Sequence, residues 1–255
     1  MGRYVNNSEI SRFNYLKVLL KADVAVLTKN TRALISSVVV PIYILIITNF
    51  KKASRVGKPS FIVVLAITVG LLATALTGYA LIVARDRDRG VFQRLRVTPA
   101  PTWTIMLSRI IVQVAFDIIV TILVLVIGIR IHHIHISGVE FVSTLLIAML
   151  GAMVFLSIAQ ALVGMLHSAV TVNAVGGFLY IALLLTGILG PSGTLGSTFQ
   201  SVSEWTPVGT VVAVFQSALH EIPWSGHTWL CLLTCICYIV ILGGIGIKWF
   251  KWDAR

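Results

Sequence analysis

The sequence predicts an all-α integral membrane protein with six transmembrane helices, and three observations support this fold class. Hydrophobic residues make up 57% of the 255 residues and charged residues only 11%, against about 25% charged residues in soluble domains. The mean hydropathy is +0.95. Six apolar segments are each near the ~20 residues that a helix needs to cross a bilayer, at 33–50, 60–83, 104–128, 139–165, 170–190 and 228–250. Residues 1–255 are therefore expected to form a single membrane domain.

A basic amphipathic helix is predicted ahead of the first span, over residues 6–29. Asn6 and Glu9 have the spacing of a helix N-terminal capping pair. Apolar residues then recur at steps of three and four, namely Phe13, Leu16, Leu20, Val24 and Leu27. A helix of this type, with low overall hydrophobicity, is expected to lie in the cytoplasmic interface of the membrane.

The distribution of lysine and arginine predicts that both termini are cytoplasmic. Fifteen of the 20 basic residues precede the first span, lie between 85 and 109, or follow the last span, and five lie on the opposite side. Basic residues accumulate on the cytoplasmic side of a membrane. The net charge of +11 comes from clusters beside apolar segments, which favours contact with lipid headgroups and not with nucleic acid.

One charged segment, residues 84–106, separates the second and third spans. Five basic residues lie between Arg85 and Arg96, so the segment is predicted to be aqueous and cytoplasmic. Val91, Phe92 and Leu95 lie on one side of a short predicted helix that Pro99 ends. The helix either docks into a groove on a soluble partner or serves only as a positively charged topological anchor.

The charged segment contains the motif Asp86-Arg87-Asp88-Arg89-Gly90-Val91, followed by Leu95-Arg96-Val97-Thr98-Pro99. This pattern resembles the cytoplasmic loop of type-2 ATP-binding-cassette (ABC) exporter permeases. The family loop reads Glu-Arg-Glu-Arg-Gly-Thr and then Leu-Arg-x-Thr-Pro. The stretches 29–34 and 191–219 are also similar to the family, the second through Glu204-Trp205-Thr206-Pro207.

The resemblance implies the membrane subunit of an ATP-driven exporter of a drug, antibiotic, lipid or other amphiphile, in a bacterial plasma membrane. It implies alternating access, two ABC ATPase subunits and a second permease chain, identical or related. Because the chain has no Gly-x-x-x-x-Gly-Lys-Ser/Thr motif, it is not expected to be an enzyme or to hold a cofactor; ATP and Mg²⁺ would be bound by the ATPase. The residues that the resemblance assigns to coupling, within a loop spanning 85–99, are Asp86, Arg87, Asp88, Arg89, Gly90, Val91, Phe92 and Leu95.

The outer segment before the last span, residues 191–226, is predicted to form a short re-entrant or interfacial helix. Thr206 and Pro207 are a favourable helix start, and the apolar stretch 208–219 is too short to cross a bilayer. Under the family resemblance this segment is an outer gate, to which Glu204, Trp205 and Pro207 are assigned.

Polar residues within the spans are candidates for a substrate path. Arg109, Gln113, Asp117 and Thr121 recur every four residues and form a stripe on the third span. Asp117 is either a proton or cation site or a structural hydrogen-bonding residue. The full candidate path is Thr74, Thr77, Gln113, Asp117, Gln160 and Asn173.

Other chemistry receives little support from the sequence. His132, His133 and His135 could bind zinc or copper, but no acid or cysteine completes a site in that loop, so no metal is predicted. Three alternative functions stay open: a proton-coupled secondary transporter using Asp117, a glycan exporter permease of the same superfamily, and a non-transporting membrane scaffold.

Overall fold

The computed structural model describes residues 17, 19–28, 31–50, 58–96, 102–191, 195–219 and 222–249. All regular secondary structure in these ranges is helical. The helices are α1 (residues 19–28), α2 (Thr31–Phe50), α3 (Pro59–Ala73), a π-helical segment (Thr74–Tyr79), α4 (Ala80–Asp88), α5 (Val91–Arg96), α6 (Thr102–His132), α7 (Gly138–Met165), α8 (Ala169–Leu189), α9 (Ser197–Glu204), α10 (Pro207–Ala218) and α11 (Gly226–Trp249).

Five helical segments in the described part of the chain are long and apolar enough to cross a membrane. They are Pro59–Asp88, Thr104–His132, Gly138–Met165, Ala169–Leu189 and Gly226–Trp249, and they match five of the six predicted spans. α2 contributes a shorter apolar stretch, Ser37–Asn49. The protein is therefore a multi-pass membrane protein that is all-helical in its described part. The predicted span at 33–50 stays a prediction.

The span Pro59–Asp88, formed by α3, the π-helical segment and α4, lies at the centre of the bundle. It contacts α2, α6, α7, α8 and α10, and residues 61–73 are all buried. The sequence of α3 is apolar on every face, as expected for a helix with protein on all sides. The π-helical segment interrupts the span near the middle; π turns are frequent at functional sites.

Glycine allows α7 and α11 to pack backbone to backbone. A Cβ added at Gly246 would lie 2.7 Å from the carbonyl carbon of Gln160, and one at Gly164 would lie 2.9 Å from Gly246 O. Small residues permit such close approach in membrane bundles. Among the described residues, by contrast, no heavy atom lies within 4 Å of a Cβ added at Gly243 or Gly244. Of these three α11 glycines, Gly246 is therefore the one that contacts α7 in the described structure.

The outer segment forms two short helices, and the predicted helix start is confirmed. Thr206 is the N-cap of α10 and accepts a hydrogen bond from Gly209 N at 3.1 Å, and Pro207 follows in the first turn. α10 is buried against α3, α7, α8 and α11. An apolar helix too short to span is therefore enclosed by protein, as a re-entrant helix must be.

Candidate functional site

The charged segment after the central span begins as helix and not as an open loop. α4 continues through Arg85, Asp86 and Arg87 to Asp88 before the chain turns. Gly90 has φ = 68°, a left-handed conformation that glycine adopts without the cost imposed on other residues. The short helix predicted at Val91 is confirmed as α5; Pro99, which was expected to end it, lies outside the described residues.

Arg87 caps the C-terminal end of α7. Its guanidinium donates from Nη1 to Val163 O and from Nη2 to Leu166 O, each at 2.7 Å, and the side chain is only 3% exposed. The last carbonyls of a helix have no partner within the helix, and a cation at that end is also favoured by the helix dipole. Arg87 thus joins α4 to the end of α7.

Asp88 caps the N-terminal end of the next helix, α8. Its Oδ2 accepts a hydrogen bond from Ala169 N at 2.8 Å, which is the first residue of α8. A carboxylate is stabilised at a helix N-terminus, where Ser168 also accepts from Val170 N. Because the two residues are adjacent, they secure both sides of the α7–α8 connection to α4.

Asp86 links α4 to α6 and to α1. Its Oδ2 accepts from Arg109 Nη2 at 2.6 Å, and Arg109 Nε lies 3.6 Å from Asp23 Oδ1. Asp23 also accepts a hydrogen bond of 2.5 Å from Ser108 Oγ. The Arg109 guanidinium stacks over the Phe92 ring, with Cζ 4.8 Å from the ring centroid. One arginine therefore contacts residues of α1, α4 and α5.

This cluster carries more negative than positive charge. Asp23 and Asp86 face the guanidinium of Arg109, which is buried and whose Nε and Nη1 have no hydrogen-bond partner within the described part of the chain. Burial raises the pKa of Asp23, and the hydrogen bond from Ser108 and the charge of Arg109 offset this only in part. The environment of Asp23 therefore does not fully compensate its charge.

The predicted coupling residues thus divide into an inward set and an outward set. Asp86 and Arg87 contact other helices and Phe92 is fully buried, so these three side chains are directed into the protein. Asp88, Arg89 and the nearby Arg85 and Gln93 are exposed, and Gly90 and Val91 are half-buried. The side chain of Leu95 lies outside what the structure describes.

An open cleft lies between α1, α4 and α6, beside this cluster. It is lined by Asp23, Val26, Leu27, Tyr79, Ile82, Val83, Arg109, Val112 and Gln113. Tyr79 OH donates to Gln160 Oε1 at 2.8 Å. Two residues of the predicted substrate path, Gln113 and Gln160, are therefore connected with this cleft.

The predicted polar stripe of α6 is buried, and its members have distinct partners. Gln113 Nε2 donates to Asp117 Oδ1 at 3.1 Å, and Thr121 donates to the carbonyl of Asp117 at 2.8 Å. Thr74, in the π-helical segment, lies beside the same carboxylate, but Asp117 Oδ2 has no hydrogen-bond partner in the described structure. Arg109 is the first residue of the stripe, but its guanidinium pairs with Asp86 on α4.

The other two candidates on the predicted path have no hydrogen bond to this carboxylate among the described residues. Thr77 is half-buried and donates to its own helix at Ala73 O. Asn173 is exposed on α8, with no hydrogen bond to the cluster among the described residues. Thr74 and Gln113 therefore meet at Asp117, and Gln160 reaches the π-helical segment through Tyr79.

The residues assigned to the outer gate form a contact between α9, α10 and α11. Tyr238 OH donates to Trp205 O at 2.9 Å, His227 packs edge-on against the Trp205 ring, and His227 Nε2 lies 3.8 Å from Glu204 Oε2. Pro207 begins α10. The outer segment is thus held to the last span by an aromatic contact and polar contacts.

Comparison with known families decides the class of the protein. The family model described as "ABC-2 type transporter" matches residues 14–220, most of the chain. The chain belongs to the ABC-2 type transporter family. Members of this family are membrane transport components and not themselves catalytic, and membership implies an ABC ATPase partner in general.

A more specific relative is the protein named "Putative transport permease YvfS" of Bacillus subtilis (strain 168). The relative and this chain are 25% identical over 159 residues, which are 62% of this chain. The match spans 63% of the relative's own length, less than two thirds. The family match therefore confirms the family that the charged segment predicted.

Two residues of the site are not recognisable from sequence pattern alone. Asp23 is an acid within a basic amphipathic helix, and its position among Lys17 and Lys21 is the one signal that sets it apart. Tyr79 is an ordinary apolar-segment aromatic until the fold brings it to Gln160. Among the described residues no group of three or more His, Cys, Asp or Glu side chains is arranged to hold a metal ion.

Proposed function

We propose that this chain is the membrane subunit of an ATP-driven exporter that moves an amphiphile, such as a drug, an antibiotic or a lipid, out of the cytoplasm. The complex would contain two ABC ATPase subunits and a second permease chain, identical or related. It would reside in a bacterial plasma membrane with both termini of this chain in the cytoplasm. Family membership supports transport, and the contacts of the charged segment support the coupling mechanism.

The observation that carries this proposal is the set of contacts made by three consecutive residues at the end of α4. Asp86 binds Arg109 on α6, Arg87 binds the end of α7, and Asp88 binds the start of α8. A partner that displaces the turn at Gly90 or α5 therefore pulls on the cytoplasmic ends of three spans at once. In this mechanism the ATPase contacts the exposed Arg85, Asp88, Arg89 and Gln93, and the buried residues transmit the displacement.

The release step would occur at the outer segment. α10 is enclosed by spans, and the contacts of Trp205 with Tyr238 and His227 connect it to α11. Glu204, Trp205 and His227 are exposed, and the contact between Glu204 and His227 is weak, since exposed ion pairs contribute about 0–1 kcal/mol. Such contacts suit a gate that must open in every transport cycle.

A proton-coupled transporter is the second candidate, favoured by one observation. Asp117 is 1% exposed and its Oδ2 has no hydrogen-bond partner among the described residues, and an ionisable residue within a span is a functional candidate by default. The two functions differ in what they require. If Asp117→Asn abolishes transport while variants of Arg89 and Gln93 transport normally without an ATPase, the proton-coupled function is correct.

The direct test is affinity purification of the tagged chain in mild detergent, followed by identification of any ATPase that copurifies. Leu95→Asp on α5 should lower substrate-stimulated ATP hydrolysis while the protein keeps its melting temperature. Arg130→Asp is a matched control, because Arg130 is exposed at the opposite end of α6. Transport by the purified chain in vesicles that contain no ATPase would refute the proposal.

A further inference from the structure

The cleft between α1, α4 and α6 has the character of a site for an amphiphile. Five of its lining residues are aliphatic, namely Val26, Leu27, Ile82, Val83 and Val112, and the methylene stem of Arg109 adds apolar surface. Polar groups are concentrated on Asp23, Arg109, Gln113 and Tyr79. Apolar walls with a few convergent polar groups are typical of small-molecule sites.

The charge of this cleft selects against an anion. Asp23 and Asp86 together exceed the one guanidinium of Arg109, and Arg109 Nε already lies 3.6 Å from Asp23. Burial raises the pKa of Asp23, which means that its charge is incompletely compensated. A cationic group beside Asp23 would supply the missing compensation, whereas an anion would meet two carboxylates.

A second acid lies along the same face of α6. Gln113 lines the cleft and donates to Asp117, one helical turn further into the span. Asp117 Oδ2 has no hydrogen-bond partner among the described residues although the side chain is almost completely buried. An unpaired polar atom in such a place is costly, and a bound cation removes that cost.

We infer that the cleft and Asp117 form a binding path for an amphiphilic organic cation, whose charged group contacts Asp23 first and Asp117 next while its apolar body lies against the aliphatic walls. The inference rests on the proposed function, because it names the substrate class of the exporter. A bare metal ion fits less well, since Mg²⁺ and Ca²⁺ require six or more oxygen ligands and the walls supply few.

The test is equilibrium binding to the whole chain in nanodiscs of zwitterionic lipid, without nucleotide and with any ATPase that copurifies. The probe is a fluorescent N-methyl styrylpyridinium cation, and its unmethylated styrylpyridine parent, neutral at pH 8, is the matched control. Saturable binding of the cation is expected, with the dissociation constant raised about tenfold by Asp117→Asn and several-fold by Asp23→Asn. The affinity for the neutral parent should be the same in all three proteins.

Four results would overturn the inference: no saturable binding to the wild type, equal cation affinity in wild type and Asp117→Asn, an equal loss of affinity for the neutral parent, or preference for a styryl carboxylate anion. If Asp117→Asn does not fold, Asp117→Glu must bind the cation within a few-fold of wild type and Asp23→Asn must weaken it. Binding needs no ATP hydrolysis. A failure here therefore leaves the ATPase partnership intact, and the absence of an ATPase leaves the binding result intact.

Discussion

Replacing Arg87 with methionine tests the connection between α4 and the end of α7. Methionine keeps an unbranched stem of similar length but removes the two hydrogen bonds to Val163 O and Leu166 O. Hydrogen bonds to charged groups contribute about 1.5–3 kcal/mol each, whereas polar contacts in membrane proteins average about 0.6 and reach about 1.7 kcal/mol. Since Arg87 is buried and both bonds are short, Arg87→Met should lower the free energy of unfolding by about 3 kcal/mol.

The assay is equilibrium unfolding by dodecyl sulfate in mixed micelles, followed by circular dichroism. Arg85→Met is the matched control, because Arg85 lies on the same helix and is exposed; it should change the unfolding free energy by less than about 0.5 kcal/mol. Arg87→Lys should be intermediate, because a single ammonium does not reproduce the two-pronged geometry of a guanidinium. Equal stability of Arg87→Met and wild type, or equal destabilisation by both methionine variants, would show that the capping role is wrong.

Three further predictions concern backbone packing, acid dependence and the turn after α4. Gly246→Ala should destabilise the protein by about 1–3 kcal/mol, because the added Cβ would meet the backbone of α7. Gly243→Ala is the control and should be neutral in the same unfolding assay, because a Cβ at that position meets no described atom within 4 Å. Equal effects of the two variants would contradict the packing of α7 against α11. Since the pKa of Asp23 is raised in the folded protein, its contribution to stability is fully present below its ordinary value and is lost as pH rises through the raised value. Asp23→Asn should therefore be no less stable than wild type at pH 7 and should lack this acid-range dependence; a less stable variant would argue against it. Gly90→Ala should cost about 1 kcal/mol for its left-handed conformation, a loss that would be absent if the turn simply rearranged.

The spans were predictable from sequence because their length and apolar composition are set by the bilayer itself. Five predicted spans agree with the helices within a few residues at most ends, and the start of α10 at Thr206 and Pro207 was readable from capping chemistry alone. The first predicted span, 33–50, differs from the other five. α2 covers this range, but its apolar stretch in the described residues, Ser37–Asn49, is shorter than a span. The predicted interfacial helix at 6–29 is described only in part, as α1.

The partners of the charged residues were not predictable, because pairing across helices depends on the packing of distant segments. Arg109 has the spacing to pair along its own helix, yet it binds Asp86 and approaches Asp23 from two other elements. The charged segment likewise reads as a solvated loop, but helix α4 extends through it and directs Arg87 into protein. Sequence spacing identifies which side chains share a face and does not identify what that face contacts.

This difference changes how the family's charged loop is understood in this chain. A loop that only contacts a partner would tolerate substitutions that preserve its surface charge. Here the side chains of Asp86, Arg87 and Asp88 each contact a different helix, so these residues also connect α4 to α6, to the C-terminal end of α7 and to the N-terminal end of α8. The shorter aspartate side chains, where the family has glutamate, are consistent with these close internal contacts. Variants at these three positions should therefore lose stability and coupling together, while variants at the exposed Arg89 and Gln93 should lose coupling alone.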